Sequence, residues 1–194
     1  MGWTRSFALG WLAGLATVGG LALGTIFSGL FDASASTPHM LPVSWALRQT
    51  YADYVHRQAR NIPPPPRFTR AQVRAGLEDY DANCASCHGG PGVSRAKWVE
   101  GLTPTPPYLL DVAHKWTPQE LRVIVGGGAK MSAMPAWTFH RTEGQLWDLV
   151  AFLEALPRLS ATDYLRLRQA AAQTSPGPPP PGQDQTLPRP RPGP

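Results

Sequence analysis

The most chemically definite stretch of the chain is Cys84-Ala85-Ser86-Cys87-His88. Two thiols three positions apart share one helical turn. Each can form a thioether with one vinyl group of a haem, and the adjacent His88 then lies under the iron as an axial ligand. C-x-x-C-H is the attachment pattern of a c-type haem. Two other uses of paired cysteines fit less well. A redox disulfide sits at a strand end in an α/β pattern, which this sequence lacks. A zinc site needs a fourth ligand and usually a second Cys/His pair. The chain has two Cys, both spent on this motif. One covalently bound haem c is expected.

Haem iron takes a sixth ligand or leaves that position open. Met131, Met134, His114 and His140 are the candidates. Met131-Ser-Ala-Met134-Pro135-Ala-Trp137 lies in a loop expected to open at Gly126-Gly127-Gly128, with Met134 46 residues beyond His88. Such a loop can swing back across the opposite haem face. A thioether ligand raises the potential of the iron couple and suits a carrier on an oxidising pathway. Without the haem motif, core filling would be the ordinary reading of a lone Met.

The elements that must position these groups are helical. Thr69-Arg-Ala-Gln72 is a capping box opening a helix to about Asn83. Thr117-Pro-Gln-Glu120 opens another, with Pro118 at the first helical position, and Thr142-Glu-Gly-Gln145 opens a third to about Leu156. The third carries Leu146, Leu149, Val150 and Leu153 on one stripe. Trp45, Leu47, Tyr51, Tyr54 and Val55 recur near helical spacing over Ser44–Asn61, with Arg48, Arg57 and Arg60 between them. A basic amphipathic helix of this kind lies on a bilayer, docks on a partner subunit or packs on its own domain. Pro63 to Pro66 then form a stiff polyproline spacer. Ser160–Gln173 is a candidate short helix. From Thr174 the chain has nine Pro in 21 residues, a composition that cannot build a core. No short stretch alternates, so almost no sheet is expected.

No charged residue occurs from Ser6 to Phe31, a run of 26 residues. About 20 suffice to cross a hydrocarbon core. The apolar region of a cleavable signal peptide is about 7–15 residues, so length favours a retained anchor. Ala33-Ser34-Ala35 nevertheless offers a signal-peptidase sequence. Arg5 favours an N-inside orientation. The net charge of +5 is located in the flanks. Residues 37–68 carry +3, residues 69–157 carry −1 and residues 158–194 carry +3. A nucleic-acid domain would concentrate basic charge on its folded face, so nucleic acid is not an expected partner.

Over residues 69–157 the sequence resembles a class I monohaem cytochrome c. The motifs that carry the resemblance are the helix ending in C-x-x-C-H, the later Met134-Pro135 pair and the closing helix with Leu146, Trp147 and Phe152. Gly76 and Tyr80 resemble the small-then-aromatic site where that family's first and last helices cross. The resemblance implies an all-α fold: a small class I cytochrome c fold wrapped around one covalent haem, preceded by one transmembrane helix. It implies Cys84 and Cys87 as haem attachment points and His88 and Met134 as axial ligands, Met134 being preferred to Met131. It also implies a Pro carbonyl accepting the His ring N–H. Pro104, Pro106 and Pro107 are equivalents for that role, with Pro106 preferred, and Pro106, Tyr108 and Trp137 are expected to line the haem pocket. The loop 89–116 should cover one haem edge. Leu77, Tyr108, Leu109, Leu110, Ile124, Trp137 and Leu149 are expected to bury against the porphyrin, and the apo-protein to be largely unfolded.

The arrangement also resembles membrane-anchored c-type cytochromes of bacterial respiratory chains. It implies four regions: a transmembrane anchor over 1–36 (an uncleaved signal), a juxtamembrane helix and Pro-rich linker over 37–68, a haem domain over 69–157, and a short helix with a Pro-rich tail over 158–194. The implied function is one-electron transfer as a carrier or haem subunit of a respiratory or photosynthetic chain, not an enzyme by itself. Expected partners are the membrane and redox proteins: a quinol–cytochrome oxidoreductase, terminal oxidase, dehydrogenase or reaction centre. No small-molecule substrate is expected. The expected location is a bacterial inner membrane, single-pass, with the haem domain on the periplasmic face. The competing reading is a five-coordinate haem enzyme or gas sensor, peroxidase-like or nitric-oxide binding, with His140 or Arg141 nearest to an acid–base role. A third is a structural or assembly subunit whose haem is one relay among several.

Overall fold

The computed structural model of the chain describes residues 2–65 and 67–174. Among these the fold is all-helical, with eight α-helices and no strand; Gly90 and Val93 make one isolated bridge. The Pro-rich tail expected after Thr174 lies outside the described residues.

The first helix, α1, spans Gly2–Ser28 and stands clear of the rest of the chain. Its 26-residue stretch Trp3–Ser28 contains an 18-residue window with a mean hydropathy of 1.6, and is long and apolar enough to cross a membrane. The next helix, α2, covers Leu41–Ala59. It starts three residues before the expected Ser44 because Pro42 occupies its first turn, where a missing N–H costs nothing. This helix packs against a later one rather than standing apart, and Val55 is fully buried in that contact.

Helix α3 covers Arg70–Asn83, and the short helix α4 covers Ala85–His88. A short helix α5 follows at Leu109–Val112, then α6 at Pro118–Gly127 and α7 at Glu143–Ala155. The three expected capping boxes are all formed: Thr69 with Gln72, Thr117 with Glu120, and Thr142 with Gln145. Each side-chain oxygen accepts from an N–H of the first turn that has no helical partner. The expected glycine-rich loop begins later than predicted. Gly126 and Gly127 belong to α6, and the chain turns at Gly128, where φ is +63°. Gly126 stays helical because it packs on the Arg122 guanidinium; an added Cβ would lie 2.1 Å from Arg122 Nη1. Arg122 in turn forms a two-point pair with Glu143 at the start of α7.

The core is the contact between α3 and α7. A Cβ at Gly76 would sit 1.9 Å from the Asp148 carbonyl oxygen, so the two backbones touch there. Four residues on, the Tyr80 ring meets Phe152 at 4.9 Å between centroids. The predicted stripe of Leu146, Leu149, Val150 and Leu153 is buried, as is Leu77. Each such side chain contributes about 1.5–3 kcal/mol by leaving water. The last helix, α8 (Ala161–Thr174), returns to pack on α3. Tyr164 is fully buried beside Phe152, and the Arg168 Nε lies 2.7 Å from Asp81 Oδ1, an ion pair outside hydrogen-bond alignment.

Candidate haem site

The site begins where α3 runs into its motif. The Cys84 N–H bonds the Tyr80 carbonyl at 2.8 Å, which extends the helix to the first thiol. The N–H groups of Cys87 and His88 both reach the Cys84 carbonyl, at 3.0 and 2.9 Å, so both thiols and the imidazole sit on one turn. Gly89 ends that turn at φ +68°, a conformation that favours glycine. Its carbonyl accepts a 2.7 Å hydrogen bond from the buried Tyr80 hydroxyl. Behind it, Gly90 leaves room for Tyr164, whose ring a Cβ would approach to 2.6 Å. The motif is thus clamped between α3 and α8.

The chemistry of the turn is selective. Cys84 and Cys87 are free thiols, both half-buried. Burial pushes the Cys84 thiol up to about 12, with the Asp79 carboxylate adding to the rise and Arg141 opposing it. Catalytic redox dithiols are held as accessible thiolates at depressed pKa, the opposite of this setting. His88 Nδ1 lies 2.8 Å from the Pro107 carbonyl oxygen. A carbonyl only accepts, so Nδ1 carries the proton and Nε2 keeps its lone pair for a metal. Burial lowers the His88 pKa, the Pro107 bond opposes this and the nearby Arg95 charge adds to it, so the ring stays neutral. Among the described residues no cluster of three or more His, Cys, Asp or Glu could hold a metal ion.

The sequence favoured Pro106 for the bond to His88; the structure gives it to Pro107. The Pro106 carbonyl is taken by Arg95, whose Nη1 donates to it at 2.6 Å. The Arg95 guanidinium also stacks 4.2 Å over the Tyr108 ring, which packs on Gly89. Arg95 therefore shapes the loop that delivers Pro107. Sequence reasoning missed it, because an Arg 11 residues from its acceptor carries no local signal.

Met134 is half-buried in an irregular segment between α6 and α7. Its carbonyl accepts from the Ala129 N–H at 3.2 Å, and its own N–H donates to Ser132 Oγ at 3.2 Å. Met131 is 74% exposed at φ +59°, and His114 and His140 are exposed. Lys97, Lys115 and Lys130 are exposed as well. Trp137 is half-buried against the core, and the Arg141 guanidinium lies 5.0 Å from its ring centre. Arg141 grips Asp79 with two bonds of 2.8 and 2.7 Å. Asp79 is on α3, five residues before Cys84, so this pair ties the Met134–Trp137 segment to the thiol-bearing helix. The structure thus connects Cys84, Cys87 and His88 with Tyr108 on one side and with Trp137 on the other.

This donor set fits a haem: two free thiols, an imidazole with one free nitrogen, and a thioether on a separate segment. Leu109, Leu110 and Trp137 are partly buried by the protein, and Tyr108 is 38% exposed, so these apolar groups can line a flat apolar group. Leu77 and Leu149 lie deeper, in the core itself.

Residues 71–153 match the family model for cytochrome c oxidase, cbb3-type, subunit III. The match runs from the first turn of α3 into α7 and leaves α1, α2 and α8 outside. No curated protein matches the chain. Residues 71–153, less than half of the chain, thus carry a domain matching class I c-type cytochromes, which supports a haem-based electron-transfer role.

Proposed function

We propose that the protein is a one-electron carrier or haem subunit of a membrane electron-transfer chain. In this reading Cys84 and Cys87 hold a single haem c covalently, and His88 and Met134 ligate its iron. The observation that carries it is the Pro107 bond to His88 on the same turn as two free thiols. That bond sets the imidazole tautomer, and Gly89 and Tyr80 hold the turn rigid. When bound, the haem supplies a reversible one-electron couple whose potential is tuned by its axial ligands and their surroundings. Tyr108 and Trp137 shield its faces from water in this reading, with Arg95 and Arg141 holding the two rings.

Four regions divide the work. Residues 1–36 anchor the protein in the membrane, with Arg5 holding the N-terminus inside. Residues 37–68 link the anchor to the haem domain of residues 69–157, and residues 158–194 form the C-terminal flank. The haem domain then faces the periplasm of a bacterial inner membrane. There it meets redox proteins: a quinol–cytochrome oxidoreductase, a terminal oxidase, a dehydrogenase or a reaction centre.

The test is a redox titration of the full chain extracted in detergent with its haem, followed by exposure of the reduced protein to carbon monoxide. A reversible one-electron wave and no carbon monoxide adduct are expected, because a filled sixth position excludes the gas. Rapid formation of an adduct would overturn this reading in favour of the five-coordinate enzyme or gas sensor.

A further inference from the structure

The helix between anchor and haem domain touches the segment that carries Met134. Helix α2 lies outside the family match, yet it packs on α6 through the fully buried Val55. Two polar ties accompany that contact. The His56 Nδ1 lies 2.6 Å from Glu120 Oε1 near the start of α6, and the His56 ring packs on Trp116. At the other end the Tyr51 hydroxyl donates a 2.9 Å hydrogen bond to the Gly128 carbonyl. Tyr51 and Gly128 are 77 positions apart.

Gly128 is the base of the Met134 loop. Its N–H closes the last turn of α6 on Ile124 at 2.9 Å. A Cβ there would lie 2.5 Å from the Pro135 carbonyl carbon and 2.7 Å from the Met134 oxygen, so the Gly128 backbone is pressed against Met134-Pro135. The next N–H, of Ala129, donates to the Met134 carbonyl, and Ser132 Oγ donates to the Ala129 carbonyl at 2.7 Å. The loop is a small closed ring hung on Gly128, where α6 ends at a φ of +63° that glycine adopts freely. A tie at its base limits that freedom.

We propose that Tyr51 is a positioning residue for Met134: by holding the Gly128 carbonyl, the juxtamembrane helix sets how firmly the distal loop keeps its thioether on the iron. The inference rests on the reading of Met134 as the distal ligand. It adds that the segment leaving the membrane anchor acts on ligation of the haem domain. The hydrogen bond joins a partly buried hydroxyl to a backbone carbonyl, and losing it leaves the base of the loop without its tie to α2, while the Arg141 bridge from Trp137 to Asp79 remains at the far end. A competing ligand should then displace Met134 more easily.

The experiment uses the full chain with its haem in detergent, comparing wild type with Tyr51→Phe, which keeps the ring and removes the hydroxyl. Imidazole is titrated into the ferric protein, and the near-infrared Met–Fe(III) band is followed against pH. Both proteins should show the band at neutral pH. Imidazole should bind Tyr51→Phe about five-fold more tightly, which is about 1 kcal/mol and the size of one neutral hydrogen bond. The variant should also lose its band at lower pH than wild type. Equal imidazole affinity and equal band loss would overturn the inference, even if the variant melts earlier, since a merely structural tie moves only the melt. Absence of the band in wild type would instead overturn the Met134 reading itself.

Discussion

The two sides of the proposed haem site are built by different means. On the His88 side, five consecutive residues carry all the chemistry, and they continue a helix whose backbone touches α7 at Gly76. Tyr80 bonds the Gly89 carbonyl from below, and Tyr164 of α8 fills the space behind Gly90. On the Met134 side, the ligand candidate sits in irregular backbone, and Met131 beside it points to solvent. What holds that side comes from afar: Tyr51 from α2, and Arg141 bridging Trp137 to Asp79. In the proposed reading a covalent attachment needs a frame that does not move, and the deepest part of the core provides it. The proposed sixth ligand needs a setting that can be adjusted, and a loop tied at its ends provides that.

The sharpest break in this contrast is Gly76→Ala. The Cβ would meet backbone of α7, which cannot swing aside as a side chain can. Overpacking of this kind typically costs 1–3 kcal/mol and sometimes more, and about 3 kcal/mol is expected here. A denaturant melt of the holoprotein checks it; a loss below about 1 kcal/mol would show that the His88 side is not framed by the α3–α7 contact. Met134→Ala comes next. It should abolish the near-infrared Met–Fe(III) band while the haem stays attached and the helical circular dichroism stays native. Met131→Ala, at an exposed position, should leave the band in place. Haem loss or unfolding in Met134→Ala would erase the distinction between frame and loop.

The smallest effect concerns the α2 contact. Burial tends to raise the Glu120 pKa, but the Thr117 N–H, His56 and the Thr117 hydroxyl outweigh it and hold the carboxyl below its usual value. A carboxyl lowered on folding adds stability above its unfolded pKa, and that contribution disappears as the pH falls through the folded value. Glu120→Gln should therefore flatten the acid limb of stability, by less than about 1 kcal/mol because His56 is half exposed. Melts of wild type and variant between neutral pH and the carboxylate range measure this. An unchanged acid limb would mean that the ties along α2 do not act through Glu120.

The same contrast explains what could be read from the chain. The thiols and imidazole were legible because the motif is contiguous, and the three capping boxes because each closes over three residues. The class I cytochrome c resemblance and the all-helical fold agree with the family match and with the structure. The less local a contact, the less it showed. Pro107 replaced Pro106 because Arg95 occupies the Pro106 carbonyl, a choice made only in three dimensions. The loop opened at Gly128 rather than Gly126 because Arg122 packs against Gly126 while pairing with Glu143. The docking of α8 behind the motif rests on Tyr164 fitting over Gly90, and that of α2 on Tyr51 reaching Gly128. No periodicity encodes partners 74 or 77 positions apart.

The attachment chemistry is the claim on which both sides depend, and intact-mass analysis of protein matured in a host able to attach haem tests it most directly. The protein should carry the added mass of one haem, and proteolysis should place that mass on the peptide containing Cys84, Cys87 and His88. A bare peptide, or one with Cys84 and Cys87 joined to each other, would contradict it.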